Sequence, residues 1–179
     1  MDKPLYLVGI LIMELIIQTK SFGDKIVLID DEDFDLIKDY VWHIQLDKGN
    51  YYARCNTWKN GKRKSPKIHR IIMGVADSPK PHIDHINGNG LDNRKCNLRT
   101  ATIAENSRNV GCNSRSVTGY KGVSLYTKHR MAGYYAVRLR HDKKTYFGGY
   151  FKDPIEAAKK YDELAKKYHG EFAYLNFKE

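Results

Sequence analysis

The stretch that decides the reading is His82-Ile83-Asp84-His85-Ile86-Asn87-Gly88-Asn89-Gly90-Leu91-Asp92-Asn93-Arg94-Lys95-Cys96-Asn97-Leu98-Arg99, followed by Glu105-Asn106-Ser107-Arg108-Asn109. Phosphodiester hydrolysis needs a base for water, a cation on the scissile phosphate and rigid positioning of both. An adjacent Asp84-His85 pair offers the first two. Neighbouring side chains of a strand point to opposite faces, so a bend is needed before both serve one task. The Asn and Gly residues that follow supply that freedom. The same composition also suits an ordinary surface turn, and an Asp-His pair alone does not decide between the two.

The order and spacing D-H-I-N-G-N-x-x-D-N-R-x-x-N-L-R-x-x-T…E-N, preceded by Ile68-His69-Arg70, resembles the HNH endonucleases of phages and group I introns, over about residues 67–109. That resemblance implies a ββα-metal core in which a β-hairpin and a helix hold one divalent ion. It implies that Asp84 is a metal ligand and His85 the general base. It further implies that Asn97 fixes the loop and orients His85 by hydrogen bonding, and that Asn106, standing where other branches have histidine, is the second metal ligand. One carboxylate and one amide oxygen form a hard ligand set that suits Mg²⁺ or Mn²⁺ rather than tightly held zinc. The ordinary imidazole pKa of about 6.5 already leaves His85 neutral near pH 7. His69 and His82 read either as phosphate contacts or as partners of loop carbonyls. Arg94 and Arg99 read either as phosphate contacts or, through Asp92-Asn93-Arg94, as part of an internal hydrogen-bond knot.

Working outward, the 179 residues carry a formal charge of +10, with 31 Lys+Arg against 21 Asp+Glu. The charge is uneven: residues 1–60 net −3, residues 61–112 net +6 and residues 113–179 net +7. A basic balance favours a polyanionic partner, and the last two thirds of the chain carry it. Cys55, Cys96 and Cys112 form no C-x-x-C pair, so neither a disulfide framework nor a cysteine zinc knuckle is indicated, and a reducing, cytoplasmic setting fits. Leu5 to Ile17 is apolar but too short to span a membrane, and it lacks a signal-peptide cleavage site. Residues 1–12 are expected to be a poorly anchored upstream extension, with Met13 as the natural start.

Residues 13–66 read as a small N-terminal α+β support. Ile26–Ile29 forms a strand, and Asp30 and Asp31 cap a helix carrying Phe34 and Ile37. Two β-rich stretches, 41–46 and 51–58, flank a turn at Asp47–Asn50, and Asn60-Gly61 turns the chain into the basic patch Lys62-Arg63-Lys64. Residues 67–109 are the nuclease-like core, 110–118 a polar linker and 119–179 a C-terminal unit of three strands and a helix. Its strands are expected at 121–126, 134–140 and 144–150, with turns at 128–133 and 141–143. Asp153 caps the helix, Pro154 opens it and Gly170 ends it. Ala157, Ala158, Tyr161, Leu164, Ala165 and Tyr168 give that helix a packing face. The fold class is α+β.

The packing motifs of residues 119–177 resemble the AP-two/ethylene-response-factor DNA-binding domain: Gly119–Val123, Tyr135–Arg140, Tyr146–Tyr150, Glu156–Asp162 and Leu175-Asn176-Phe177. That resemblance implies a three-stranded sheet lying in the major groove of double-stranded DNA, with a helix behind it. The DNA-facing residues would be Lys121, Ser124, Tyr126, Tyr134, Arg138, Arg140, Lys144 and Tyr146. Where plant members place arginines and tryptophans this chain has Ser124, Tyr126, Lys128 and Tyr146, so their target sequence does not transfer. Arg138 and Arg140, two apart, share one face of a strand, while Val137 and Leu139 point to the helix.

Together these readings describe a homing-type nuclease that cuts DNA with one ion per active site, its address set by the C-terminal sheet. A single active site cuts one strand, so a double-strand break needs a dimer or a second visit. The rival is a non-catalytic DNA-binding regulator with a structural HNH loop. An RNA-binding accessory protein fits the charge but neither motif.

Overall fold

The computed structural model describes residues 11–113, 115–127 and 129–178. The expected upstream extension therefore lies mostly outside the described residues. The chain divides into two compact units, residues 1–101 and 102–179. Among the described residues no helix is long and apolar enough to cross a membrane. The mixed content of small sheets and few helices agrees with an α+β class.

The first unit is a series of antiparallel two-stranded sheets. β1 (Ile12–Ile17) pairs with β2 (Lys25–Asp30), and α1 (Phe34–Ile37) follows. β3 (Trp42–Asp47) pairs with β4 (Asn50–Cys55), and β5 (Thr57–Lys59) pairs with β6 (Lys62–Lys64) across a turn in which Asn60 has φ +51° and Gly61 φ +70°. α2 (Ile68–Ile72) then precedes the hairpin of β7 (His82–His85) and β8 (Leu98–Ala101). The β1 strand has no counterpart among the expected elements, because a continuous apolar run carries no strand period.

One core serves this whole unit. Val27, Ile29, Ile37, Ala53, Ile68, Ile83, Leu91 and Leu98 belong to a single buried cluster. Residues 13–66 and the β7–β8 hairpin therefore do not hold separate cores: a lone hairpin and its loop bury too little apolar surface to stand alone. The backbone seals the join, with Leu28 N donating to Leu91 O at 2.8 Å and Asn93 N donating to Leu28 O at 2.8 Å.

The second unit begins with α3 (Ile103–Asn109), whose capping box is complete: Thr102 Oγ1 accepts from Glu105 N, and Thr102 N donates to Glu105 Oε2. β9 (Val123–Leu125), β10 (Tyr135–His141) and β11 (Lys144–Phe151) form a sheet in the order β11-β10-β9, both pairs antiparallel. α4 (Pro154–His169) buries Ala157, Ala158, Tyr161 and Ala165 against Val123, Val137 and Leu139. Gly122 has φ +74°, and a Cβ there would fall 1.9 Å from the Tyr161 ring, so strand and helix approach as only glycine allows. Asp162 fastens the chain end, accepting from Asn176 N at 2.8 Å and from Phe177 N at 3.0 Å. The stretch expected as a free linker is partly tied down, since Val110 O accepts from Lys121 Nζ at 2.5 Å.

Candidate active site

Asp84 and His85 are both only 5% exposed on β7, where the register pairs Asp84 with Arg99 and His85 with Leu98. Arg99 donates to Asp84 Oδ2 from Nε at 2.9 Å and from a terminal nitrogen at 2.7 Å. Arg99 thus stands as an ion-pair partner of the expected ligand carboxylate. Arg94 instead grips Asp92 bidentately, both contacts at 2.7 Å, which is the internal knot.

The His85 ring sits in a buried box. His69, on α2, meets it edge-on with centroids 4.7 Å apart, and Tyr52, on β4, lies 6.0 Å away. His85 Nε2 lies 3.1 Å from Asn93 Oδ1. Asn93 is fully buried. Burial pushes the His85 pKa below its usual value, against the opposing pull of Asn93 and of the Asp84 charge. Burial, then the neighbouring His85, holds His69 down at about 2. Both imidazoles are therefore neutral at physiological pH. An Nε2–H donated to that amide oxygen would leave the His85 lone pair on Nδ1, where a base needs it.

The expected hydrogen bond from Asn97 to His85 is corrected here: the side chain on His85 Nε2 is Asn93. Asn97 spends its amide on the loop. Its Oδ1 accepts from Asn87 N at 2.9 Å, and its Nδ2 donates to Asn87 Oδ1 at 3.0 Å and to Asp92 O at 2.8 Å. The loop is further held by Asn87 Nδ2 on Asp92 Oδ2 at 2.8 Å and by Asn50 Nδ2 on Gly88 O at 2.7 Å. Gly90 is required because a Cβ would meet Tyr51 O and the Tyr52 ring within 2.5 Å. A flexible-looking loop is thereby a rigid mount for His85.

Asn106 lies half-buried on α3, in the second unit, and its side-chain amide makes no hydrogen bond among the described residues. Asp84 and His85 are thus brought together with Asn93, Arg99, Tyr52 and His69. Sequence reasoning misses Asn93 as the His85 partner, although it marks Asp92-Asn93-Arg94 as a knot. Tyr52 carries no local signal at all. Among the described residues no cluster of three or more His, Cys, Asp or Glu side chains could hold a metal ion. The carboxylate of Asp84 and the amide of Asn106 are oxygen donors of the type a hard divalent ion takes.

The C-terminal sheet corrects three of the eight expected DNA-facing residues. Lys121 turns inward, its Nζ donating to Arg108 O and Val110 O at 2.5 Å each. Burial lowers its pKa to about 8. Tyr146 pairs with Leu139 and stacks on Tyr168 of α4, with centroids 4.0 Å apart, so it faces the helix. Lys144 pairs with His141 at the hairpin end. Two features cause this. Asp142 and Lys143, with φ +48° and +65°, make a two-residue turn rather than the three-residue one expected, which flips the side chains of β11 as far as Phe147. A β-bulge opposite Val137 and Arg138 shifts the register again and brings Tyr150 to the outward face. The outward face instead carries Ser124, Tyr126, Arg138, Arg140, Phe147 and Tyr150. Phe147 is 53% exposed opposite Arg138, and Tyr150 pairs with Ala136. Arg138 donates to Tyr126 Oη at 2.9 Å. Tyr134 is half-buried, with Lys152 Nζ 5.9 Å from its ring centre.

Residues 67–108 match the model of a family described as HNH endonuclease, a span that takes in Asp84, His85, Asn97 and Asn106. Protein 3.8 of Escherichia phage T7 is 37% identical over 71 residues, covering 38% of this chain and 59% of that protein.

Proposed function

We propose that the chain is a metal-dependent DNA endonuclease of the homing type, nicking duplex DNA with His85 as general base and choosing its site with the C-terminal sheet. The carrying observation is the His85 ring, buried, kept neutral and fixed at Nε2 by Asn93, one residue from a buried carboxylate and within a span that matches HNH endonucleases. In this reading His85 Nδ1 takes a proton from water as the oxygen attacks phosphorus, and Asn97 keeps the loop from carrying the base out of line. Asp84 and Asn106 would hold one Mg²⁺ or Mn²⁺, which when bound offsets charge on the phosphate and the leaving oxygen. Arg99 orients the Asp84 carboxylate. On the C-terminal sheet Arg138 and Arg140 meet base edges or phosphate, flanked by Ser124, Tyr126, Tyr134, Phe147 and Tyr150.

One observation favours the rival reading of a non-catalytic DNA-binding regulator: the Asp84 carboxylate is already engaged by Arg99. Incubating supercoiled plasmid with Mg²⁺ separates the two. The nuclease reading expects open-circle product from the wild type, none in EDTA, and little from Asn106→Ala. Equal outcomes for wild type and variant, with DNA binding intact, favour the regulator.

A further inference from the structure

The hairpin of β5 and β6 is part of neither the His85 site nor the C-terminal sheet. Residues 57–64 carry four basic side chains and no acidic one. Trp58 stands 74% exposed at this hairpin, although an aromatic side chain of that size is ordinarily covered. Trp58 pairs across the strands with Arg63, so ring and guanidinium share one face. The opposite face carries Lys59, Lys62 and Lys64, and Asp77 braces it, at 2.5 Å from Lys59 Nζ and 3.1 Å from Lys64 Nζ. Lys62 and Arg63 have no carboxylate partner among the described residues. The hairpin is thus pinned through one face while its Trp58–Arg63 face stays open.

Arg63 also borders an open groove of about 610 Å³ that His43, Arg54, Asn56 and Lys64 help to line. His43 records the positive potential there. Its pKa is lowered first by burial and then by the Arg54 and Arg63 charges. Arg54 is occupied, donating to Gln45 Oε1 and Ser65 O, which leaves Arg63 as the exposed guanidinium at the rim. A local cationic field beside an exposed aromatic ring fits a phosphate backbone with sugar or base surface next to it.

We infer that the β5–β6 hairpin is a second DNA-contact element, in which Arg63 and Lys62 hold phosphates of duplex DNA and Trp58 packs on the adjoining sugar–base edge. The inference goes beyond the nuclease reading but rests on duplex DNA being its substrate. Such a hairpin would add phosphate contacts without adding to base readout.

The test is binding to a pool of short random duplexes in EDTA, so that no cleavage intrudes, across a range of salt concentrations. For Lys62→Ala/Arg63→Ala the expected result is roughly tenfold weaker binding with a salt slope smaller by about two, one for each phosphate no longer neutralised. Tryptophan emission should change on duplex binding in the wild type, and that change should be absent in Trp58→Phe. All three side chains are exposed, so folding is preserved. Unchanged affinity and slope, or an emission change surviving in Trp58→Phe, overturns the proposal. Tighter hairpin-dependent binding to single strands of the same sequence overturns the duplex assignment. Failure of the wild type to bind any duplex sinks this proposal and the nuclease reading together, whereas wild-type binding indifferent to the hairpin sinks this proposal alone.

Discussion

Replacing Asn93 with alanine removes the amide that meets His85 Nε2. Asn93 Oδ1 lies 3.1 Å from Nε2, the residue is fully buried, and His85 is 5% exposed. In Asn93→Ala an Nε2–H would be left buried without an acceptor, at a cost of about 1–3 kcal/mol. Moving the proton to Nδ1 avoids that cost but removes the lone pair the reaction needs. The competent tautomer is then disfavoured by that same amount, which at about 1.4 kcal/mol per factor of ten slows the chemical step roughly five- to 140-fold. Substrate binding should hardly change, because Asn93 is inaccessible to DNA. Single-turnover nicking at saturating DNA measures the rate, and ¹⁵N shifts of the His85 ring report the tautomer independently of activity. A wild-type ring protonated at Nδ1, or an Asn93→Ala rate within about twofold of wild type, refutes the reasoning, since the effect of removing a full buried hydrogen bond cannot be that small.

Asn97→Ala removes three hydrogen bonds from a residue 6% exposed and should destabilise the first unit by about 2–4 kcal/mol, read as a lower midpoint in urea. Gly122→Ala puts a Cβ into the Tyr161 ring at φ +74°, and the second unit should lose about 3 kcal/mol, visible as a fall in its melting temperature. Stability should also fall on acidification. His69 and His85 have folded pKa values below the unfolded value of about 6.5, so the unfolded chain binds more protons as pH drops below that point. Stability is then full above 6.5 and declines toward each depressed value, by at most about 1.4 kcal/mol per pH unit for each histidine. Urea unfolding at pH 7 and pH 5 measures this, and His69→Gln should flatten the difference.

Much of the site is legible in the sequence because turn chemistry and motif spacing are local properties. Asn87, Gly88 and Gly90 announce a tight loop, and Asp84-His85 sits where β7 ends. The capping of α4 is likewise readable from Asp153 and Pro154, whereas the capping box of α3 at Thr102 and Glu105 emerges from the structure. What escapes depends on distant partners. His85 is boxed by Tyr52 and His69, 33 and 16 positions away in sequence, and no local pattern reports such a contact. Asn93 and Asn97 both lie near the loop, and which of them reaches the imidazole is decided by the backbone bond from Asn93 N to Leu28 O, which anchors that residue against β2. On the C-terminal sheet the alternation of polar and apolar residues is correct for β10. It fails for β11 because a bulge opposite Val137 and Arg138 shifts the register and because two consecutive left-handed residues, Asp142 and Lys143, shorten the turn. Neither is glycine, so nothing in composition marks the shorter form.

The general-base role of His85 is tested most directly by chemical rescue. His85→Ala, with Mg²⁺ and supercoiled plasmid, should bind DNA as the wild type does yet nick at least about a hundredfold more slowly. Added free imidazole should restore part of the rate by entering the cavity left beside Asn93. A His85→Ala enzyme that nicks at the wild-type rate without imidazole would contradict the account.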